Sequence, residues 1–254
     1  MITEIIVRLI PKPQASRTLR AEFEKLEDCS DAVAAIMAGG TVPAALELMD
    51  QFAVKAVEKS FGLGLNTDME GVLLIQLDGN PETLEREVSQ IENCLREKKA
   101  GNIIAAKDSA ESERLWLARR AAGPAIMRMR PNIMTEDVTV PVSKLTAMIR
   151  KIMEIGKHYR IEVGILAHAG DGNLHPCIVF DRSNEDEYKR VQAFCKDLVP
   201  EALGLGGTLS GEHGIGIAKA PFLHFEMDQV AFGIMRAIKA SFDPKGILNP
   251  GKFV

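Results

Sequence analysis

The chain has no CxxC pair, no run of basic residues, no apolar stretch near the ~18 residues of a membrane span and no GxGxxG fingerprint. Each absence removes a class of protein. The four cysteines, Cys29, Cys94, Cys177 and Cys195, stand far apart, which argues against a zinc ribbon and reads as free thiols in a reducing compartment. A net charge of −4 without a basic patch offers no surface for nucleic acid. The start, Met1-Ile2-Thr3-Glu4, has neither the basic flank nor the apolar centre of a secretory signal. The expected location is the cytoplasm. Gly204-Leu205-Gly206-Gly207 and Gly214-Ile215-Gly216 both miss the dinucleotide-binding spacing and read as turns. What remains is an ordinary globular composition, long enough for one large domain or two small ones around a substantial core.

Apolar periodicity places the elements. Strands are expected over Thr3 to Ile10, Arg17 to Phe23, Ala44 to Met49, Gly71 to Asp78, Ile103 to Ala106 and Met134 to Pro141. Helices are expected over Ala32–Ala38, capped by Asp28-Cys29-Ser30-Asp31, and over Gln51 to Ser60. Pro81 to Lys98 places Leu84, Val88, Ile91 and Leu95 on one face. Further helices run from Ser109 to the Gly123-Pro124 stop, over Leu145 to His158, over Asn184 to Leu203, and in short pieces through Met227 and Val230–Phe242. The tail from Pro244 reads as loop. One clear hairpin and several short connections favour an α+β fold, a largely antiparallel sheet with helices on one face.

Two segments concentrate the chemistry. In His168-Ala169-Gly170-Asp171-Gly172-Asn173-Leu174-His175, strand-like residues flank a tight Asp171-Gly172 turn, giving a β-hairpin with an imidazole at the end of each arm. Cross-strand neighbours lie about 5 Å apart at Cβ, near enough to share one metal ion. Glu212, in Ser210-Gly211-Glu212-His213-Gly214-Ile215-Gly216, would complete a 2-His-1-carboxylate set with open positions for substrate. If Glu212-His213 is extended, its side chains point opposite ways and His213 is left free as a base. The plainer alternative is a pair of hydrogen-bonded structural histidines beside a turn. A Glu-His pair in a second glycine-rich segment weighs against it.

These segments, with Lys219, Asp243-Pro244 and Leu248-Asn249-Pro250-Gly251-Lys252, resemble the C-terminal, substrate-side domain of FAD-linked oxidases of the vanillyl-alcohol-oxidase type. Nearest are the glycolate oxidase catalytic subunit and the FAD-dependent D-lactate and D-2-hydroxyglutarate dehydrogenases. The resemblance implies a ferredoxin-like sheet elaborated with extra helices. It assigns residues 1–12 to the terminal strand of an FAD-binding domain and residues 13–254 to the substrate and metal domain. It makes His168, His175 and Glu212 ligands of a divalent metal (Zn, Mn or Fe), His213 the base, and puts Asn173 beside the substrate. Arg119 becomes the clamp for the substrate carboxylate, a task suited to arginine's planar fork. Arg119 also has a bland reading, since Arg120 is adjacent and helical arginines are often merely solvated. Asn249 and Lys252 would touch the flavin edge, although FAD is held mainly by the other domain.

Gly123 and Thr135 stand where D-2-hydroxyglutarate enzymes carry a hydroxyl residue and a lysine, which points to a smaller acid such as glycolate or D-lactate. Implied partners are the small 2-hydroxy acid, the N-terminal FAD domain and an iron–sulfur or electron-transfer flavoprotein subunit. An uncovered apolar strand at residues 1–10 would further predict homo-oligomers. Two other classes compete: a flavin-independent metalloenzyme using the same triad, and a non-catalytic fragment.

Overall fold

The computed structural model describes residues 3–252. The first half runs β1 (Ala15–Phe23), α1 (Leu26–Ala38), β2 (Ala45–Asp50), α2 (Gln51–Phe61), β3 (Gly71–Gly79), α3 (Pro81–Glu97) and β4 (Asn102–Ala105). The second runs α4 (Ser109–Met127), β5 (Asn132–Thr135), β6 (Val138–Thr139), α5 (Leu145–Tyr159), β7 (Val163–His168), β8 (Asn173–Phe180), α6 (Glu185–Gly204), α7 (Gly216–Lys219) and α8 (Gln229–Phe242). One sheet holds the strands in the order β4-β1-β3-β2-β7-β8-β5, with β6 also on β8, and every registered pairing is antiparallel.

The β4-β1-β3-β2 half is the expected ferredoxin-like arrangement, elaborated by α2 between β2 and β3. Alternation along the strands sorts the core. Leu48, Leu73, Ile75, Ile165 and Ile178 face α1, α3, α5 and α6, whose apolar stripes include the expected Leu84, Val88, Ile91 and Leu95. This is the helical face anticipated from sequence. The opposite face is covered as well, since Met49, Val72, Leu166, Cys177 and Val179 pack against α2 and α4.

Several boundaries differ from expectation. Thr3 to Ile10 forms no strand; it is exposed coil, because no strand among the described residues pairs with it. Met1 and Ile2, the start of the expected 1–12 segment, lie outside the described residues, as do Phe253 and Val254 of the tail. Helix α1 starts at Leu26, with Asp28 inside its first turn rather than at the cap. Helix α4 passes through Gly123-Pro124, because Ala121, Ala122, Ala125 and Ile126 continue its buried face. Packing there outweighs the hydrogen bond that proline removes.

The expected strand Met134 to Pro141 is split into β5 and β6, both in one continuous register on β8. The break falls opposite Pro176, which accepts from the Glu136 amide at 2.9 Å but has no N–H to return.

Candidate active site and metal centre

The site grows from one row of cross-strand partners. Glu47 on β2 faces His168 on β7, His168 faces Asn173 on β8, and Asn173 faces Thr139 on β6. These four therefore share the sheet face that carries α2 and α4. His175 follows Asn173 by two residues and points the same way. The two histidines are thus diagonal, not directly opposite as the hairpin reading had them, with ring centroids 5.3 Å apart. The turn is a short 3-10 segment closed by Gly172 at φ 71°, where a β-carbon would sit 2.0 Å from the Val140 carbonyl oxygen. Only glycine fits there.

Each imidazole is oriented from behind. His168 Nδ1 lies 2.7 Å from Glu47 Oε1, and His175 Nδ1 lies 3.3 Å from the Glu136 carbonyl oxygen, the acceptor that Pro176 leaves unused. Both partners only accept, so with a cation among the three side chains each Nδ1 would keep the proton and each Nε2 would present a lone pair. Both Nε2 atoms face Glu212 Oε1, at 3.5 Å from His168 and 3.1 Å from His175. Burial, followed by the neighbouring His168, lowers the His175 pKa and favours its neutral form. Donor atoms of His168, His175 and Glu212 all lie within 4.8 Å of one another. Three converging lone-pair donors with fixed tautomers fit a divalent cation.

The Glu212 loop is held by Asp137. This fully buried carboxylate accepts from Ser210 Oγ at 2.6 Å and from the amides of Gly211, Glu212 and His213 at 3.1, 3.2 and 2.9 Å. Burial pushes its pKa up, yet those hydrogen bonds and Lys219 prevail and bring it down to about 2. Lys219 Nζ in turn donates to the Leu209 and Asp137 carbonyls, and burial lowers its own pKa.

Convergence on one carboxylate curls the segment, so Glu212-His213 is bent rather than extended. The two side chains consequently do not point apart. His213 Nε2 is 3.5 Å from Glu212 Oε1, and its half-exposed ring stacks on His175 at 5.0 Å. His213 stays outside the three-donor group. Gly211 permits the close approach, since a β-carbon there would lie 2.2 Å from Thr139 Oγ1. Thr139 Oγ1 and Asn173 Oδ1 are both buried and without a hydrogen-bond partner.

Arg119 does not present a free fork. Its Nε and Nη2 lie 3.0 and 2.8 Å from Glu47 Oε2, at the back of His168. Arg120 is exposed and bonds Glu113. Asn249, at φ 49°, and Lys252 lie in the exposed tail beyond α8. A cavity of about 1020 Å³, lined by Lys25, Asp50, Phe52, Ile149 and Val163 among others, lies at the other end of β7 and takes no histidine.

Sequence reasoning passed over Glu47 and the anchoring role of Asp137. The available signal was a charged residue inside an apolar strand, at Leu46-Glu47-Leu48-Met49 and again at Glu136-Asp137-Val138.

An antiparallel α+β domain with a three-donor centre at a hairpin mouth defines the class, and the comparisons give the family. Residues 12–253 match the family of FAD linked oxidases, C-terminal domain, and the chain belongs to it. It is 40% identical over 252 residues to the glycolate oxidase subunit GlcD of Bacillus subtilis (strain 168), covering 99% of this chain and 54% of that protein. A probable mitochondrial D-lactate dehydrogenase of Danio rerio is 32% identical, with 99% of this chain and 51% of that protein covered. The chain thus spans about half the length of the curated relatives it matches.

Among solved structures, p-cresol methylhydroxylase with substrate bound superposes with a TM-score of 0.69 at 16% identity, over 96% of this chain and 53% of that one. A 4-ethylphenol oxidase from Gulosibacter chungangensis, in an isoeugenol complex, gives 0.69 and 16% over 96% and 55%. Both are likenesses of fold.

Proposed function

We propose that this chain is the substrate- and metal-binding portion of an FAD-dependent oxidoreductase acting on a small 2-hydroxy acid. The observation that carries the proposal is the convergence of His168 Nε2, His175 Nε2 and the Glu212 carboxylate beside a separate imidazole, His213. Relatives named glycolate oxidase and D-lactate dehydrogenase support the substrate class. Held by the three donors, a divalent metal (Zn, Mn or Fe) would lower the pKa of the substrate hydroxyl and neutralise the developing alkoxide.

His213 removes that hydroxyl proton, a step usually worth ~10²–10⁴-fold. Asn173, on the same sheet face as both histidines, stands beside the substrate, where an amide can donate and accept. Arg119 supports the carboxylate end, its Nε and Nη2 already engaged by Glu47. The C2 hydrogen needs a two-electron acceptor that no side chain here provides, and a flavin would supply it from a part of the protein outside this chain. Asn249 and Lys252 are the residues this chain would bring to the flavin edge. An iron–sulfur or electron-transfer flavoprotein subunit then takes the electrons, in the cytoplasm.

Surface character supports a missing half. Val230, Ile234, Ile238 and Phe242 form an exposed i, i+4 stripe along α8, and Ile5, Ile6, Leu9 and Ile10 are exposed as well. Stripes of this kind are covered by a partner or by another copy.

The test is metal analysis of the complete protein, then dye reduction with glycolate, D-lactate and D-2-hydroxyglutarate, with and without FAD. Metal near one equivalent, and FAD-dependent turnover of glycolate or D-lactate, are expected. Turnover without flavin would turn the reading to a self-sufficient metalloenzyme, and a flavin-loaded protein inert to all three acids would overturn the substrate class.

A further inference from the structure

We infer that Glu47 is a positioning residue for the metal centre. One carboxylate both locks His168 into its ligating tautomer and holds Arg119, coupling the metal side of the site to the carboxylate side. This rests on the proposed site, and deepens it. Glu47 Oε1 lies 2.7 Å from His168 Nδ1, while Oε2 takes both Arg119 Nε at 3.0 Å and Nη2 at 2.8 Å. All three side chains are largely withdrawn from solvent, with His168 the most open at 36%.

Only an anionic carboxylate suits both neighbours at once. It accepts from Nδ1–H on one oxygen and from a guanidinium edge on the other. That leaves His168 Nε2 as a lone-pair donor aimed at Glu212. A glutamine at this position cannot serve both. With its oxygen toward His168, its amide N–H₂ meets the Arg119 donors. With its oxygen toward Arg119, it meets His168 as a donor and favours the other tautomer, whose Nε2 bears the hydrogen and cannot ligate.

Register makes the coupling rigid. Glu47 and His168 are direct cross-strand partners between β2 and β7, so their separation follows from the sheet itself. Arg119 comes from α4, whose buried side packs on that same sheet face. The metal-side imidazole and the cationic residue thus report to one atom group, although 72 residues separate Glu47 from Arg119 and 121 separate it from His168.

The test uses two readouts on the wild-type protein, Glu47→Gln and His168→Ala. The first is Zn²⁺ affinity by competition with a chromophoric chelator. The second is the tautomer of His168 in the metal-free protein, from ¹⁵N–¹H correlation spectra of the imidazoles. Wild type should carry its proton on Nδ1, and Glu47→Gln should mix the tautomers and weaken Zn²⁺ binding ~10–100-fold. A role confined to stability would lower the melting temperature without moving the tautomer of the folded variant.

If Glu47→Gln folds, binds Zn²⁺ as wild type does and keeps the Nδ1–H form, the inference is overturned. Should the variant fail to fold, wild type alone decides, because an Nε2–H tautomer there overturns it equally. Zn²⁺ binding unchanged by His168→Ala would instead remove the proposed metal site. The tautomer result would then still judge Glu47 on its own.

Discussion

At the scale of single residues, roles follow from which atoms are already engaged. His168 and His175 each have Nδ1 engaged from behind and Nε2 turned toward Glu212, so removing either ring deletes one of three converging donors. His168→Ala or His175→Ala should abolish stoichiometric divalent metal, as measured by elemental analysis. His213→Ala should retain the metal and lower turnover by ~10²-fold or more. Retention of metal in both ligand variants would dismiss the centre. Arg119→Lys replaces a two-point contact to Glu47 by a point charge. The complete enzyme should then show a KM for the hydroxy acid raised ~10-fold or more, seen in its rate-against-concentration curve.

At the scale of an element, two buried carboxylates act with opposite sign. Asp137 holds four donors of the Glu212 loop, and its pKa is depressed to about 2. A depressed acid stabilises the fold above its unfolded pKa, and that contribution is lost as pH falls through the folded value. Acid unfolding should therefore steepen between pH ~4 and ~2, and Asp137→Asn should flatten that region while loosening the loop. Asp50, the N-cap of α2, accepts from the Ala53 amide at 2.9 Å, yet burial raises its pKa to about 7. Here the folded state binds the proton more tightly, so stability falls as pH rises from ~4 to ~7, by a few kcal/mol. Asp50→Asn keeps the cap and removes the ionisation. Denaturant melts at pH 5 and pH 8 should show wild type losing stability between them and the variant nearly unchanged.

For the whole molecule, the unevenness of its surface is the informative feature. The sheet is helix-covered on both faces, while α8 and residues 5–10 leave apolar side chains in solvent. No helix among the described residues is long and apolar enough to cross a membrane. Apolar surface of this kind would be covered by a partner domain or by a second copy of the chain. Purified alone, the chain should be colourless and self-associate, and Ile234→Glu with Phe242→Glu should shift it toward monomer in sedimentation. Stoichiometric flavin in the isolated chain would contradict this division of labour.

Period-two and period-3.6 patterning determined, without tertiary help, the β7–β8 hairpin and the amphipathic helices α3, α5 and α6. The same local order carried the histidine and Glu-His motifs on which the family resemblance rests. Those features depend on near neighbours in the chain, which sequence records directly. Other features were decided only by the folded sheet. Thr3 to Ile10 has strand composition, yet a strand exists only through a ladder, and no described strand pairs with it. Helix α4 crosses Gly123-Pro124 because its buried face continues beyond them. The bend at Glu212-His213 is imposed by Asp137, 75 and 76 residues away in sequence. Glu47 looked like one charge in a strand of apolar residues. Only the β2–β7 register brings it to His168, and only the packing of α4 brings Arg119 to the same carboxylate.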